Sequence, residues 1–124
     1  MNNANKITSF ADLKAWRKGH RFVLAIYRIT RTFPKEEMFG LTSQLRRAAI
    51  SITSNLAEGF GRRGIKEKIR FYMIALGSLR EAQNQLLIAK DLGYITPEEF
   101  KELAEKSVEI SKIINSLIKG ASDL

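Results

Sequence analysis

Apolar residues recur at intervals of three and four along nearly the whole chain, and no stretch alternates apolar and polar residues for long enough to make a half-buried strand. That period confines the chain to helices, and the breaks in it set their number. Ser9 reads as an N-cap with Asp12 three residues on, where a carboxylate favours the helix dipole. The helix begun there ends by Phe33-Pro34, because a residue before proline avoids the helical region. Lys35-Glu36-Glu37-Met38 reads as an irregular turn before a second helix, and Gly59, Gly61 and Gly64 as a flexible corner after it. Gly93 is a natural stop for a long third helix. Thr96-Pro97-Glu98-Glu99 supplies a cap, an N1 proline and the glutamate of a capping box for a fourth. Helices are thus expected over about 10–32, 41–59, 65–92 and 97–119. Joined by short connections, they point to an all-α, antiparallel up-down-up-down four-helix bundle, a single domain over 1–124.

A bundle of this size needs one core, which 44% hydrophobic content can fill. On the first helix the core row is expected through Leu13, Trp16, Val23, Leu24 and Tyr27. On the third it is expected through Ile69, Tyr72, Met73, Leu76, Leu79, Leu86 and Leu87, beside a small-residue row of Phe71, Ala75, Ser78, Ala82, Gln85 and Ala89 along which another helix can approach closely. Phe100, Leu103, Ser107, Ile110, Ile114 and Leu117 serve the fourth, whose opposite face alternates Glu and Lys as a solvated surface does. The second helix has its apolar face at Leu41, Leu45, Ala48, Ala49, Ile52 and Leu56, and Ile50 points elsewhere. Apolar contacts on more than one side of a helix suggest self-association.

Charge separates the two halves of the chain. Residues 1–64 hold 12 Lys and Arg against 4 Asp and Glu, while residues 65–124 hold 9 of each, so the whole excess of +8 lies in the first half. A one-sided basic surface attracts phosphate backbones or acidic proteins. The candidates for such contact are Arg17, Lys18, Arg21, Arg28 and Arg31 on the first helix, then Arg46, Arg47, Arg62, Arg63 and Arg70. They have phosphate-contact chemistry with no visible base-reading element, so any nucleic-acid affinity is expected to be salt-sensitive and weakly sequence-specific.

Against this stands a polar row on the second helix. Gln44, Arg47, Ser51, Asn55 and Glu58 follow one another at steps of 3, 4, 4 and 3, the spacing of a seam. Such a row is either solvated or a hydrogen-bonded network against another helix. Ser51, Asn55 and Glu58 are expected to face Ser78, Glu81 and Gln85, with the flanking arginines partly satisfying the carboxylates. As a catalytic or metal-binding pair, Glu58 and Glu81 lack the Glu-x-x-His motifs of a di-metal bundle, and the only histidine, His20, sits beside a core stripe like an ordinary surface histidine. There is no phosphate loop, no dinucleotide fingerprint and no Ser/His/Asp set. Without cysteine, neither a disulfide framework nor a thiolate metal site is possible. No cofactor, metal, membrane or small-molecule substrate is expected. The start MNNANKITSFADLKAW lacks the apolar run of a secretory signal and no run is long enough to span a bilayer, so a cytoplasmic location is expected.

FADLKAWRKGHRFVLAIYRITRTFP, FGLTSQLRRAAISITSNLAEGFGR and FYMIALGSLREAQNQLLIAKDLGYI together resemble the four helix bundle protein family, the 23S ribosomal RNA intervening-sequence proteins, from Phe10 to about Leu117. The most specific parts are Leu41-x-x-Gln-Leu-Arg-Arg-Ala-Ala, Ser51-Ile-x-x-Asn-Leu-Ala-Glu-Gly and Gly77-Ser-Leu-x-Glu; Asn55-Leu56 stands where an Asn-Ile pair is common. The resemblance implies an antiparallel bundle and a homopentamer. Similar accessory variability proteins of diversity-generating retroelements are basic pentamers that bind nucleic acid and a reverse transcriptase. The resulting expectation is a non-enzymatic, homo-oligomeric basic accessory protein that binds nucleic acid, RNA or an RNA-protein complex, through its Arg and Lys surface. The alternative is a scaffold docking an acidic protein such as a reverse transcriptase or a ribosome-associated protein.

Overall fold

The structure, a computed structural model, describes residues 6–122; the first five and last two residues of the expected 1–124 domain lie outside the described residues. Four helices form, α1 Lys14–Thr30, α2 Leu41–Gly61, α3 Ile65–Asp91 and α4 Pro97–Ser122, with short 3-10 turns at Phe10–Asp12 and Lys35–Glu37. No strand occurs among the described residues.

The first expected helix is divided. Asp12 accepts hydrogen bonds from the N–H groups of Thr8 and Ser9, at 2.9 and 3.1 Å, and from the Thr8 hydroxyl. These bonds close a 3-10 turn, and Leu13, with extended backbone, breaks it from α1. α1 also stops earlier than the proline requires: the Thr30 hydroxyl bonds back to the Ile26 and Tyr27 carbonyls at 2.7 and 3.2 Å, and the Tyr27 carbonyl is the acceptor Arg31 would need to continue the helix. At the far end of the chain the signals act as read. Thr96 and Glu99 exchange backbone-to-side-chain bonds of 2.8 and 3.0 Å, completing the capping box of α4. Gly93, the one described residue with positive φ, at 79°, closes α3: its N–H reaches the Lys90 carbonyl and that of Tyr94 the Ala89 carbonyl, the paired bonds of a Schellman end.

Each helix packs on its sequence neighbour and α1 closes back onto α4, with α2 and α3 sharing the most extensive interface. The reason is side-chain size. Ala48 and Ala49 of α2 and the row Ala75, Ser78, Ala82 and Ala89 of α3 are all buried, and small side chains let two helices approach closely. That assignment corrects the expected core of α3. Its small-residue row faces inward along with Tyr72, Leu79 and Leu86, while Met73 and Leu87 are exposed. On α1 likewise, Phe22 and Ile26 fill the core and Leu24 lies half exposed. Leu45, Ile52 and Leu56 of α2 and Leu103, Ile110 and Ile114 of α4 complete one continuous cluster.

The glycine corner differs in kind from the flexible hinge expected. Gly59 and Gly61 belong to α2, and only Arg62, Arg63 and Gly64 separate it from α3. Gly59 is needed for approach: a methyl there would lie 2.6 Å from the Tyr72 ring and 3.1 Å from Phe71 Cβ. Gly61 and Gly64 meet no such obstacle.

Candidate nucleic-acid interface

The strong amphipathicity of α1 buries Ala15, Phe22, Val23 and Ile26, and leaves its charges on the other side. Lys14, Arg17, Arg21, Arg28 and Arg31 are all exposed and step along the helix by 3, 4, 7 and 3 residues. At about 1.5 Å rise per residue they make one cationic stripe about 25 Å long. Among the described residues none of the five lies within ion-pair distance of a carboxylate. Lys18 is different. Its ammonium lies 2.8 Å from the Glu109 carboxylate of α4, and that hydrogen bond, with the charge behind it, holds Glu109 below the ordinary carboxylate value. Lys18 therefore ties α1 to α4.

A second cationic group lies where α1 gives way to α2. Arg46 crosses from α2 to α1, donating from Nε to the Thr30 hydroxyl at 2.8 Å while its guanidinium sits 4.6 Å above the Tyr27 ring. Around it opens a cleft of about 520 Å³, whose lining includes Arg31, Lys35 and Arg47 and no acidic residue. At the other end of α2, Arg62 pairs with Glu58 at 3.1 Å and stacks 4.7 Å over Phe71. Arg70 reaches Glu67 at 3.6 Å and shares the Phe71 ring; Arg63 is exposed. Apart from Lys18, the ten candidate cations thus fall into a stripe, a cleft and a partly neutralised corner.

The expected polar network is divided as well. The Ser51 and Ser78 hydroxyls bond across α2 and α3 at 2.7 Å, and Asn55 Nδ2 donates to the Ser51 carbonyl and hydroxyl at 2.8 and 3.0 Å. Gln85 donates to Glu81 on its own helix at 3.2 Å, and its other side-chain atom, Oε1, is buried without a partner. Gln44 is exposed. So are both glutamates: Glu58 and Glu81 lie outside the helix seam, and Arg62 satisfies Glu58 at the surface rather than within the bundle. Glu58 lies two turns beyond Ser51, in the last turn of α2 and off the Leu45, Ile52 and Leu56 core face. His20, also exposed, stacks on Trp16 with ring centroids 4.8 Å apart. No group of three His, Asp or Glu side chains comes together among the described residues.

Three further cations escaped the sequence reading. Lys14 extends the α1 stripe by one step, which its spacing of three from Arg17 signals. Lys35 joins the cleft from the 3-10 turn, with no periodic signal to mark it. Lys68 donates to the Gly59 and Phe60 carbonyls at 3.2 and 2.6 Å, placing a positive charge at the carbonyl end of α2, where the helix dipole favours it.

The sequence model described as 23S rRNA-intervening sequence protein matches residues 11–116. Among solved structures, the chain is similar to a protein with unknown function from the S23 ribosomal protein family from Bacteroides thetaiotaomicron. The two are 25% identical with a TM-score of 0.78, over 85% of this chain and 98% of that one. No curated protein matches the chain.

Proposed function

Because the chain belongs to the 23S rRNA-intervening sequence protein family, we propose that it is a non-enzymatic accessory protein that assembles with copies of itself and binds RNA electrostatically. The observation that carries this is the α1 stripe: five exposed cations in line, none within ion-pair distance of a carboxylate among the described residues. Surface arginines placed for stability alone would be expected to pair as Arg62 and Arg70 do. A row of unpaired cations attracts a phosphate backbone and releases its counterions, with no need to read bases.

Two features support assembly. The outer face of α3 presents Met73, Ile74, Leu87, Ile88 and Leu92, each between 39% and 55% exposed, far more apolar surface than a solvated helix face requires. Gly77 lies on the same face with open space where a side chain would stand, so a second helix can approach there. The family resemblance makes five copies the expected number, each an antiparallel up-down-up-down bundle. The cross-helix pairs Gly59 with Tyr72 and Ser51 with Ser78 fit that direction, since one partner falls in the chain as the other rises.

Binding of a structured 23S ribosomal RNA fragment, followed by fluorescence anisotropy, tests the proposal. With about five phosphate contacts, affinity is expected to fall by about 10²–10³-fold between 50 and 200 mM salt. Replacing Arg17, Arg21 and Arg28 together by Gln should make the salt slope shallower by about one per contact removed. Binding that ignores both salt and these substitutions would contradict it. Absence of RNA binding with capture of an acidic protein would transfer the stripe to a protein partner.

A further inference from the structure

The cleft between the end of α1 and the start of α2 differs from the open stripe in being concave. It is a half-open cleft of about 520 Å³, within the size range of small-ligand sites, and it is set apart from the stripe by its concave, cation-rich lining. Four cations line it, Arg31, Lys35, Arg46 and Arg47, without a carboxylate among the lining residues or within ion-pair distance among the described residues. Like charges gathered in one cleft repel one another, so an anion entering it is favoured, a dianion most of all. Arg46 is also preset. Its Nε is committed to the Thr30 hydroxyl, which itself donates to the Ile26 carbonyl, and its plane is stacked on Tyr27. The remaining guanidinium N–H donors have no partner among the described residues, and a fixed planar fork of donors suits a phosphate.

Three further unpartnered donors border the same cleft, the first of them enclosed beneath its surface. Thr42 lines the cleft, is 7% exposed, and its hydroxyl is buried without a hydrogen-bond partner. As early residues of α2, Thr42 and Ser43 precede the first intrahelical donor, and no carbonyl accepts their N–H groups. The rest of the lining is apolar or aromatic, from Tyr27, Phe33, Met38 and Ile50, a wall for a flat, weakly polar body beside the charge.

We propose that this cleft binds a phosphate monoester attached to a nucleoside-sized group, and that its source is the phosphorylated end of an RNA strand. The choice of source rests on the RNA-binding function proposed above; the monoester site itself rests on the cleft alone. A strand end supplies a dianion, whereas each internal phosphate of the backbone carries one charge. The stripe of α1 would hold the strand and the cleft its terminus, with Arg31 at the junction of the two.

Calorimetric titration of the full chain with adenosine 5′-monophosphate, adenosine and inorganic phosphate tests the site, and paired RNA oligonucleotides with terminal phosphate or terminal hydroxyl test its source. The monophosphate is expected to bind at least tenfold tighter than adenosine and tighter than inorganic phosphate. Arg31→Gln with Arg47→Gln, both exposed positions whose loss leaves the core intact, should abolish that preference, as should Arg46→Gln. Equal binding of monophosphate and adenosine, or binding of neither, would overturn the site. If the monophosphate binds but terminal phosphate on RNA adds nothing, the strand end is overturned as the source and a free nucleotide takes its place. If the monophosphate binds and no RNA does, the cleft stands and the RNA-binding function fails.

Discussion

Gly59 and Glu58 are adjacent in the chain and opposite in consequence. Gly59 is buried where a methyl would stand 2.6 Å from the Tyr72 ring, so Gly59→Ala must displace an aromatic side chain in the α2 and α3 interface. The expected cost is about 1–3 kcal/mol, typical of overpacking, read as a lower denaturation midpoint at unchanged slope; Gly61→Ala, with nothing within 4 Å, serves as the control. Glu58 had the seam spacing of a buried carboxylate, yet its partner is an exposed Arg62 one turn on. Glu58→Gln should therefore change stability by no more than about 0.5 kcal/mol, as surface substitutions do, and a loss of several times that would place Glu58 back in a buried network. Ser51 and Asn55, on the same row, do join a cross-helix contact. Spacing made the row legible but left open where it turns outward, because Ser51 and Glu58, two turns apart on nearly the same face, differ in what they meet: Ser78 across the seam for the first, Arg62 of its own helix end for the second.

Among the elements, the 3-10 turn that precedes α1 owes its closure to Asp12. Hydrogen bonds from the Thr8 and Ser9 N–H groups, then the Thr8 hydroxyl, hold this carboxyl below its ordinary value of 3.8. A carboxyl depressed in the folded state contributes stability that is fully present above the unfolded value and is lost as pH falls through the folded one. Thermal melts should therefore show Asp12→Asn below the native chain at neutral pH, with the difference closing below 3.8; a difference constant down to pH 2 would contradict it. The helices themselves were plain in the sequence, since their period, the Thr96 box and the Gly93 stop are local signals. Which stripe of α3 faces inward was not. Met73 and Leu87 are more apolar than Ala75 and Ala82, but the small side chains allow α2 to come close and so take the core. The larger residues are left on an outer face with Gly77. On propensity alone, Gly77→Ala should stabilise the isolated helix by about 0.8–1 kcal/mol. If that face receives a second copy, the same methyl should weaken assembly, seen as dissociation at higher protein concentration than the native chain. Assembly unchanged by the substitution would place the contact on another face.

For the whole molecule, the charge asymmetry visible in the sequence becomes a spatial one. Cations of the first half line α1 and the α1 to α2 cleft, while α4 carries its Glu and Lys in near balance and lends Glu109 to fix Lys18. Composition alone could not separate free cations from structural ones, because pairing depends on side chains brought together from different helices: Lys18 with Glu109, Lys68 with the end of α2, Arg46 with Thr30. What remains unpaired is a stripe and a cleft, on a bundle whose α3 exposes Met73, Ile74, Leu87 and Ile88. The most direct measurement is mass by light scattering at low and high salt, with and without a structured 23S ribosomal RNA fragment. A multiple of the 14.1 kDa chain, five copies expected, that persists at both salts and gains the mass of RNA only at low salt is the predicted result. A monomer at every concentration, or an assembly that ignores the RNA at low salt, would contradict it.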